Sequence, residues 1–238
     1  MKKAVETQFD AVLSAKPALA YSFDPRRLGA KDRAIVALLR AEGLKGKACL
    51  DVGPGTGRWL TFLAGEGAGP LAAADISAEA LRRCAPLCQK TVKVDLERDR
   101  LDFPDDAFDV TVSFEVLEHI PYPDNYVAEL LRVTRPGGLL LLSLPNVASL
   151  ISRIRLVLGV LPPAISHDPT HLRHYRRRDA AALFARFGQR PTFVPTSFSV
   201  NPLDPKSRWR LPSCRLTASL DDALLFFLRP EKPGRAAP

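Results

Sequence analysis

Residues 49–60 read CLDVGPGTGRWL, a short apolar run that ends in Asp51 and breaks into glycines at 53, 55 and 57. Glycine at alternating positions lets the backbone turn sharply and approach a ligand with no Cβ in the way. A helix that follows presents free N–H groups at the same place. Such a turn can cradle a dinucleotide pyrophosphate, but three details point elsewhere. The spacing is G-x-G-x-G, with Arg58 where the dinucleotide fingerprint has its third glycine. Asp51 repels a pyrophosphate and suits a cation. Asp75, 18 residues after Gly57, closes the next apolar run, where a carboxylate can accept hydrogen bonds from both hydroxyls of a ribose.

A second concentration of reactive side chains lies in HDPTHLRHYRRR, where His167, His171 and His174 fall within eight residues. Their duty is substrate-side, as a general base or an acceptor-orienting group with the arginines clamping an anion, or structural, as imidazoles bonded to the backbone. The structural reading is slightly preferred, and His171 is the best single catalytic candidate. His167, Asp168, His171 and His174 carry enough N and O atoms for a metal, but no metal is expected. Glu118 and His119, in VLEHIP, are either close to the cofactor or fix a loop by hydrogen bonding; the second reading is preferred.

These residues need elements to position them. Arg27–Glu42 has helical spacing and ends at Gly43; Lys47–Val52 reads as a buried strand and Arg58–Ala64 as a helix. Leu71–Ala74 is a second strand, followed by a helix with Ser77 as N-cap. Thr91–Leu96 and Phe108–Phe114 supply the third and fourth strands, and Leu139–Leu144 the fifth, after a helix at Asp124–Val133 that stops at Pro136-Gly137-Gly138. Strands alternating with helices imply right-handed crossovers and a mainly parallel sheet covered on both faces. Beyond Pro145 come an amphipathic helix at Val147–Val160, another at Asp179–Phe187, and late strands at Thr192–Ser199 and Ala223–Leu228.

Composition narrows the class. The chain has 238 residues, 46% of them hydrophobic, enough for one sizeable core. Its apolar segments are too short or too broken by Gly and Pro to span a bilayer, and the first residues lack a signal-peptide pattern. A cytoplasmic protein is expected, with at most peripheral membrane contact. Four cysteines without a C-x-x-C pair read as reduced thiols. Residues 1–146 carry 19 Lys/Arg against 20 Asp/Glu, whereas residues 147–238 carry 15 against 6, so the whole excess of the +8 net charge lies in the C-terminal part. That asymmetry fits a solvated arginine-rich surface or a face meeting something anionic.

A ligand with an adenosine ribose, a positive centre and no phosphate suits the glycine turn and its two acids: S-adenosylmethionine. At this point LDVGPGTG (50–57), AADIS (73–77), VKVDLE (92–97), FPDDAFDVTVSFEVLEHIPYP (103–123) and ELLRVTRPGGLLLLSLPN (129–146) together resemble the class I S-adenosylmethionine-dependent methyltransferases. The resemblance is to the subgroup that includes ubiquinone-biosynthesis O-methyltransferases and small-molecule and sugar methyltransferases. It implies a Rossmann-like, doubly wound α/β fold with a mostly parallel seven-stranded sheet, helices on both faces and the last strand pair antiparallel. It also implies that Gly53, Gly55 and Gly57 pass under the methionine moiety, with Asp51 near its ammonium. Asp75 would bind the ribose, Ile76 would pack on the adenine, Asp95 would accept from the adenine amino group beside the Leu96 backbone, and Phe114 and Glu115 would close the pocket.

The organisation that follows is a single domain over residues 1–238. Its cofactor-binding core is 27–146, its substrate-side cap 147–190, and residues 229–238 form a disordered tail. Tyr21 and Phe23 form a lid over the cofactor or pack in the core. The expected activity is methyl transfer to a small-molecule acceptor, anionic or lipid-linked, with a hydroxyl of a sugar, quinone-like or lipid-linked metabolite preferred. An RNA methyltransferase is the first rival, weakened by the lack of a dedicated RNA-binding module and of an Asn/Asp-Pro-Pro-Tyr/Phe motif where the chain reads SFEVLEH. A cofactor-binding partner protein without turnover is the second.

Overall fold

A computed structural model describes residues 7, 10–11, 23–166, 168–199, 210–214 and 217–232. The apolar runs become strands β1 (Cys49–Val52), β2 (Leu71–Asp75), β3 (Lys90–Lys93), β4 (Phe108–Phe114), β5 (Thr134–Pro145), β6 (Thr192–Val194), β7 (Ser197–Ser199), β8 (Arg210–Pro212) and β9 (Ala223–Leu228). Seven of them form one sheet in the order β3-β2-β1-β4-β5-β9-β6, while β7 and β8 make a separate two-stranded sheet. The pairs among β1 to β5 are parallel, and β9 runs antiparallel between β5 and β6. The strand order reverses at β1 and β4, the place where a doubly wound sheet opens a crevice at the carboxyl ends of its strands.

Helices cover both faces, and the sequence shows why. In β5 the run Leu139–Leu142 is fully enclosed, as a parallel strand buried on both sides must be. Leu140 and Leu142 face Tyr126, Leu130 and Phe184, whereas Leu139 and Leu141 face Ile35, Leu60 and Leu63. Each such leucine contributes roughly 1.5–3 kcal/mol by leaving water, so neither face of the strand tolerates a charge.

Several element bounds differ from the sequence expectation, each for a local reason. The first helix is Ala30–Glu42, preceded by a 3-10 turn at Pro25–Arg27. The third strand stops at Lys93 because Asp95 folds the chain back: its carboxyl accepts from Glu97 N–H, and its carbonyl from Arg98 and Asp99 N–H. The fifth strand starts early, at Thr134 rather than Leu139, since Pro136-Gly137-Gly138 forms a register shift in the β4–β5 pair, not a free turn. The late run splits into β6 and β7 where Thr196 turns to donate its N–H and hydroxyl to Asp221. The helix after β5 shrinks to Leu150–Val157, capped by Ser149 and halted at Gly159 with φ +71°.

The expected loose tail is corrected at its start. Arg229 bonds Glu42 and the Gly137 carbonyl, Glu231 exchanges hydrogen bonds with Gln189, and Lys232 pairs with Asp106. Residues 233–238 lie outside the described residues, as does Tyr21. Phe23 takes the core-packing role, with its ring 4.8 Å from that of Phe62.

Candidate active site

The carboxyl ends of β1, β2 and β4 open into a cavity of about 780 Å³, within the roughly 300–1,000 Å³ usual for small-molecule sites. Asp51, Gly53, Gly55, Asp75, Ile76, Asp95, Leu96, Phe114 and Glu115 all line it, so the structure brings together nine of the ten expected cofactor contacts. Gly57 is the exception. It adopts φ +75° as N-cap of the Arg58–Gly65 helix, and a Cβ there would lie 3.1 Å from Cys84 Sγ, so its smallness serves helix packing.

The other two glycines answer different constraints. At Gly53, φ is +74° and a Cβ would come within 2.3 Å of Val116 Cγ2, so no side chain fits. At Gly55, φ is +51° and a Cβ would meet nothing within 4 Å, because that space belongs to the cavity.

Two acids stand over this turn. Asp51 is enclosed, and its Oδ2 has no hydrogen-bond partner among the described residues. Burial, with the repulsion of Asp75, pushes its carboxyl up to about 8. Asp75 is pushed up to about 6 by burial, against hydrogen bonds from the Ser77, Gly55 and Ile76 backbone. Ser77 in turn holds Asp10 of the N-terminal segment through its hydroxyl. A buried carboxylate with an unused oxygen next to a second acid fits a ligand that brings a cation and a diol, and does not fit a pyrophosphate.

The side of the cavity beneath β4 is aromatic and ionic. Trp59 packs on Phe114 with ring centroids 5.1 Å apart, and Arg58 lies over Trp59 while pairing with Asp32 at 3.0 Å. Glu115 follows in the left-handed region, φ +56°, an uncommon conformation for a residue with a side chain. The strain is held by Lys31 Nζ at 2.7 Å and by the Ser143 hydroxyl, donating at 2.7 Å. Burial alone would raise the Glu115 carboxyl; the Lys31 charge and these two hydrogen bonds overturn that and hold it below its ordinary value. Lys31 was not expected to take part. Its position on the polar side of an amphipathic helix gave no signal, because its partner is 84 residues away.

The cavity wall at His119 belongs to a group that the sequence distributes over two segments. Glu118 and His119 lie in a 3-10 turn, Leu117–His119, just after β4. The segment Asp168–Arg173 clamps onto that turn, with the Leu172 and Arg173 N–H groups donating to the Glu118 carbonyl. This brings His171 beside His119, ring centroids 4.9 Å apart, and places His171 Nε2 3.9 Å from Glu118 Oε1. His119, Asp168 and Leu172 reach the cavity wall. His174 is exposed and does not line the cavity, and His167 lies outside the described residues. The loop-fixing expectation for VLEHIP holds for the Glu118 carbonyl and for His119 Nδ1, which meets the Thr170 carbonyl at 3.0 Å. The Glu118 carboxyl fixes nothing: neither oxygen has a hydrogen-bond partner among the described residues.

Beside this end, the cap presents an unusual surface. Leu156, Val157, Leu158, Val160 and Leu161 are exposed, Val157 at 87%, while only Ile151 and Ser152 of the Leu150–Val157 helix that leads into them are buried. Packing of this helix on the core is thus confined to its first turn. Among the described residues no helix is long and apolar enough to cross a membrane. Part of the basic excess is occupied internally, with Arg176 on Asp179, Arg186 on Asp124 and Arg229 on Glu42.

Comparison with known proteins agrees with this geometry. The family described as a methyltransferase domain matches residues 25–191. The chain is 38% identical over 105 residues to a ubiquinone biosynthesis O-methyltransferase of Pectobacterium atrosepticum, covering 42% of this chain and 43% of that protein. It is 37% identical over 106 residues to an uncharacterised methyltransferase of Mycobacterium marinum, covering 44% and 41%. The matched region thus spans less than half the length of these curated relatives. Among solved structures, the complex of the Haloferax volcanii Trm112 methyltransferase activator with a putative methyltransferase contains a chain that superposes with a TM-score of 0.65 at 19% identity, covering 94% of this chain and 98% of that one.

Proposed function

Because the chain belongs to the methyltransferase-domain family of class I S-adenosylmethionine-dependent proteins, we propose that it moves a methyl group to a hydroxyl of a small acceptor. A sugar, quinone-like or lipid-linked metabolite is the preferred acceptor. The observation that carries this reading is the pair of Asp51, buried with an unpartnered oxygen, and Asp75 on the next strand, above a glycine turn with open space at Gly55. In this reading Asp51 faces the amino-acid ammonium, and Gly53 and Gly55 let the backbone pass under the methionine moiety. Asp75 accepts from the ribose hydroxyls, Ile76 packs on the adenine, and Asp95 with the Leu96 backbone borders its amino group. Phe114 and Glu115 close the pocket.

When bound, S-adenosylmethionine supplies a sulfonium methyl carbon open to in-line attack. The chain's own contribution is alignment and exclusion of water: Trp59 and Phe114 wall one side, and the Lys31–Glu115 pair fixes the turn after β4. A hydroxyl acceptor must also lose its proton, and the base that reaches the cavity wall at this end is His119, with Glu118 and His171 behind it. His171 therefore keeps its substrate-side role, through His119, while His174 is given none.

A lipid-linked acceptor is supported by the exposed run from Leu156 to Leu161 beside Arg153 and Arg155, which suits a peripheral contact with a bilayer. The same run favours the second reading, a cofactor-holding partner protein, since the Haloferax neighbour was solved with an activator. Calorimetric titration with S-adenosylmethionine and S-adenosylhomocysteine tests the first reading. Binding that Asp75→Ala weakens at least about tenfold, the scale of a hydrogen bond to a charged group, supports it. A folded wild-type protein that binds neither compound overturns it. Labelled methyl transfer into cell extract then separates the enzyme from the partner protein.

A further inference from the structure

We propose that Glu118, His119 and His171 bind a divalent transition-metal ion at the acceptor end of the cavity, with Asp168 as a candidate fourth ligand. One nitrogen or oxygen from each of the first three lies within 4.8 Å of the others. Metal–ligand bonds of about 2.0–2.2 Å put neighbouring ligand atoms roughly 3–3.5 Å apart. The 3.9 Å between His171 Nε2 and Glu118 Oε1 and the 4.0 Å between His171 Nε2 and Asp168 Oδ2 therefore need only small side-chain rotations to close on an ion.

Three features separate this group from a chance meeting of polar side chains. First, Glu118 is 2% exposed, and neither carboxyl oxygen has a hydrogen bond among the described residues. A carboxyl so placed is costly without a partner, and a metal ion would supply it. Second, both histidines are oriented by acceptors at Nδ1. His119 Nδ1 faces the Thr170 carbonyl at 3.0 Å and the Thr170 hydroxyl at 2.9 Å, whose own proton goes to Asp168, and His171 Nδ1 donates to the Ala164 carbonyl at 3.0 Å. Each imidazole is thereby set in the tautomer whose lone pair is on Nε2, the arrangement that outer hydrogen bonds impose on metal-ligating histidines. Third, Asp168 is oriented the same way, with Oδ1 accepting from the Thr170 N–H at 2.8 Å and from its hydroxyl, which leaves Oδ2 turned to His171.

Two nitrogens and one or two carboxylate oxygens suit Zn²⁺, Mn²⁺, Fe²⁺ or Co²⁺ better than Mg²⁺ or Ca²⁺, which take oxygen sets. The sequence hid this set because its members come from two segments about fifty residues apart. The run HDPTHLRHYRRR contributes His171 to it, whereas His174 is exposed on the surface.

For function, this inference rests on the methyl-transfer reading: an ion with an open position would take the acceptor hydroxyl as a ligand and lower its pKa, so that its proton passes to solvent and the oxygen takes the methyl group as S-adenosylhomocysteine leaves. Metal binding itself does not depend on that reading, so the two are tested apart. Chelator-treated full-length protein is titrated with Co²⁺ and followed by its visible d–d absorption, with S-adenosylhomocysteine affinity measured on the same samples. The expected result is one equivalent of bound Co²⁺, with affinity at least tenfold weaker in Glu118→Gln and in His171→Ala, the range seen when metal-site residues are disturbed. S-adenosylhomocysteine binding is expected to change less than threefold. If Glu118→Gln fails to fold, His171→Ala, whose side chain is 14% exposed against 2% for Glu118, carries the test. Wild-type protein that binds S-adenosylhomocysteine but takes up no more Co²⁺ than His171→Ala overturns the metal site. Co²⁺ binding without any S-adenosylhomocysteine binding overturns the methyl-transfer reading and leaves the metal site standing.

Discussion

The two ends of the cavity handle buried acid in opposite ways. At the glycine-turn end, Asp51 and Asp75 are both pushed upward by burial, and among the described residues no basic side chain pairs with either; backbone N–H groups donate to Asp75. Behind the β4 end, Glu115 is held ionised by Lys31 and Ser143, while its neighbour Glu118 is pushed up to about 9. The first end stores a charge deficit that an arriving cation relieves. The second has one acid already neutralised by the fold and one that is not. The lesson is that a carboxylate beside the cavity invites a ligand's cation only where the fold leaves it unpaired; the Glu115 charge is already met by Lys31.

The largest effect on this contrast is expected from Gly53→Ala. A Cβ at 2.3 Å from Val116 Cγ2, on a backbone at φ +74°, must displace either the glycine turn or the residue between Glu115 and Leu117. Overpacking and left-handed strain together should cost about 2–4 kcal/mol in denaturant unfolding. S-adenosylhomocysteine binding should be lost with it. Gly55→Ala separates the two effects: its Cβ enters open cavity, so stability should fall by only about 1 kcal/mol while affinity falls sharply. Equal destabilisation by the two substitutions would show that the Val116 contact is not what demands glycine.

Next in size is Lys31→Met. Both partners of the Lys31–Glu115 pair are about one-third exposed, so solvent screens their attraction. A loss of about 1 kcal/mol in unfolding at pH 7 is expected, above a typical surface pair and below a fully buried one. Because the pair positions the turn at a left-handed residue, cofactor affinity should fall as well. Unchanged affinity would mean that Glu115 does not need its partner to hold φ +56°.

The pH response sharpens the contrast further. Asp51 carries its proton up to about 8 in the folded, ligand-free protein, against an ordinary value of 3.8 once unfolded. Between those values the folded state binds the additional proton, so ligand-free stability should fall as pH rises through the window. A cationic ligand prefers the ionised carboxylate, so S-adenosylmethionine affinity should rise over the same window and level off above about 8, with proton release visible as a buffer-dependent binding enthalpy. Asp51→Asn should remove its share of the slope, leaving those of Asp75, which ends near 6, and of Glu118, which ends near 9. A flat affinity profile in the wild type would remove Asp51 from the cation's side.

How much of this was legible in the sequence depended on the range of each interaction. The glycine turn, Asp51, Asp75 and the Ser77 cap are local: spacing within about thirty residues encodes them, and all appear at the cavity or the helix start as read. Phe108–Phe114, Asp124–Val133 and Ala223–Leu228 also match, because apolar periodicity and flanking turns bound them on both sides. Lys31–Glu115 and Glu118–His119–His171 escaped, since each joins segments that only the crossover topology brings together. The tail's first residues escaped for the same reason: Arg229 and Lys232 read as solvated, yet their carboxylates wait at Glu42 and Asp106, far back in the chain.

The cap carries the smallest expected effect on stability and tests whether its surface serves the acceptor end at all. Val157 and Leu161 are exposed and contribute little to the core, so Val157→Ser with Leu161→Ser should shift unfolding by no more than about 0.5 kcal/mol. If the run meets a bilayer, sedimentation with vesicles containing anionic phospholipid should fall markedly in this double variant, and it should fall again in the wild type at raised salt as Arg153 and Arg155 are screened. S-adenosylhomocysteine affinity should not move, because neither residue lines the cavity. Vesicle binding that is absent in the wild type, with a partner retained on the same face, would instead assign these apolar residues to a protein contact and favour the partner-protein reading. A variant that loses both stability and cofactor affinity would mean that the strip is buried against the cap after all. The separation between a ligand-poised glycine-turn end and an outward-facing cap would then collapse.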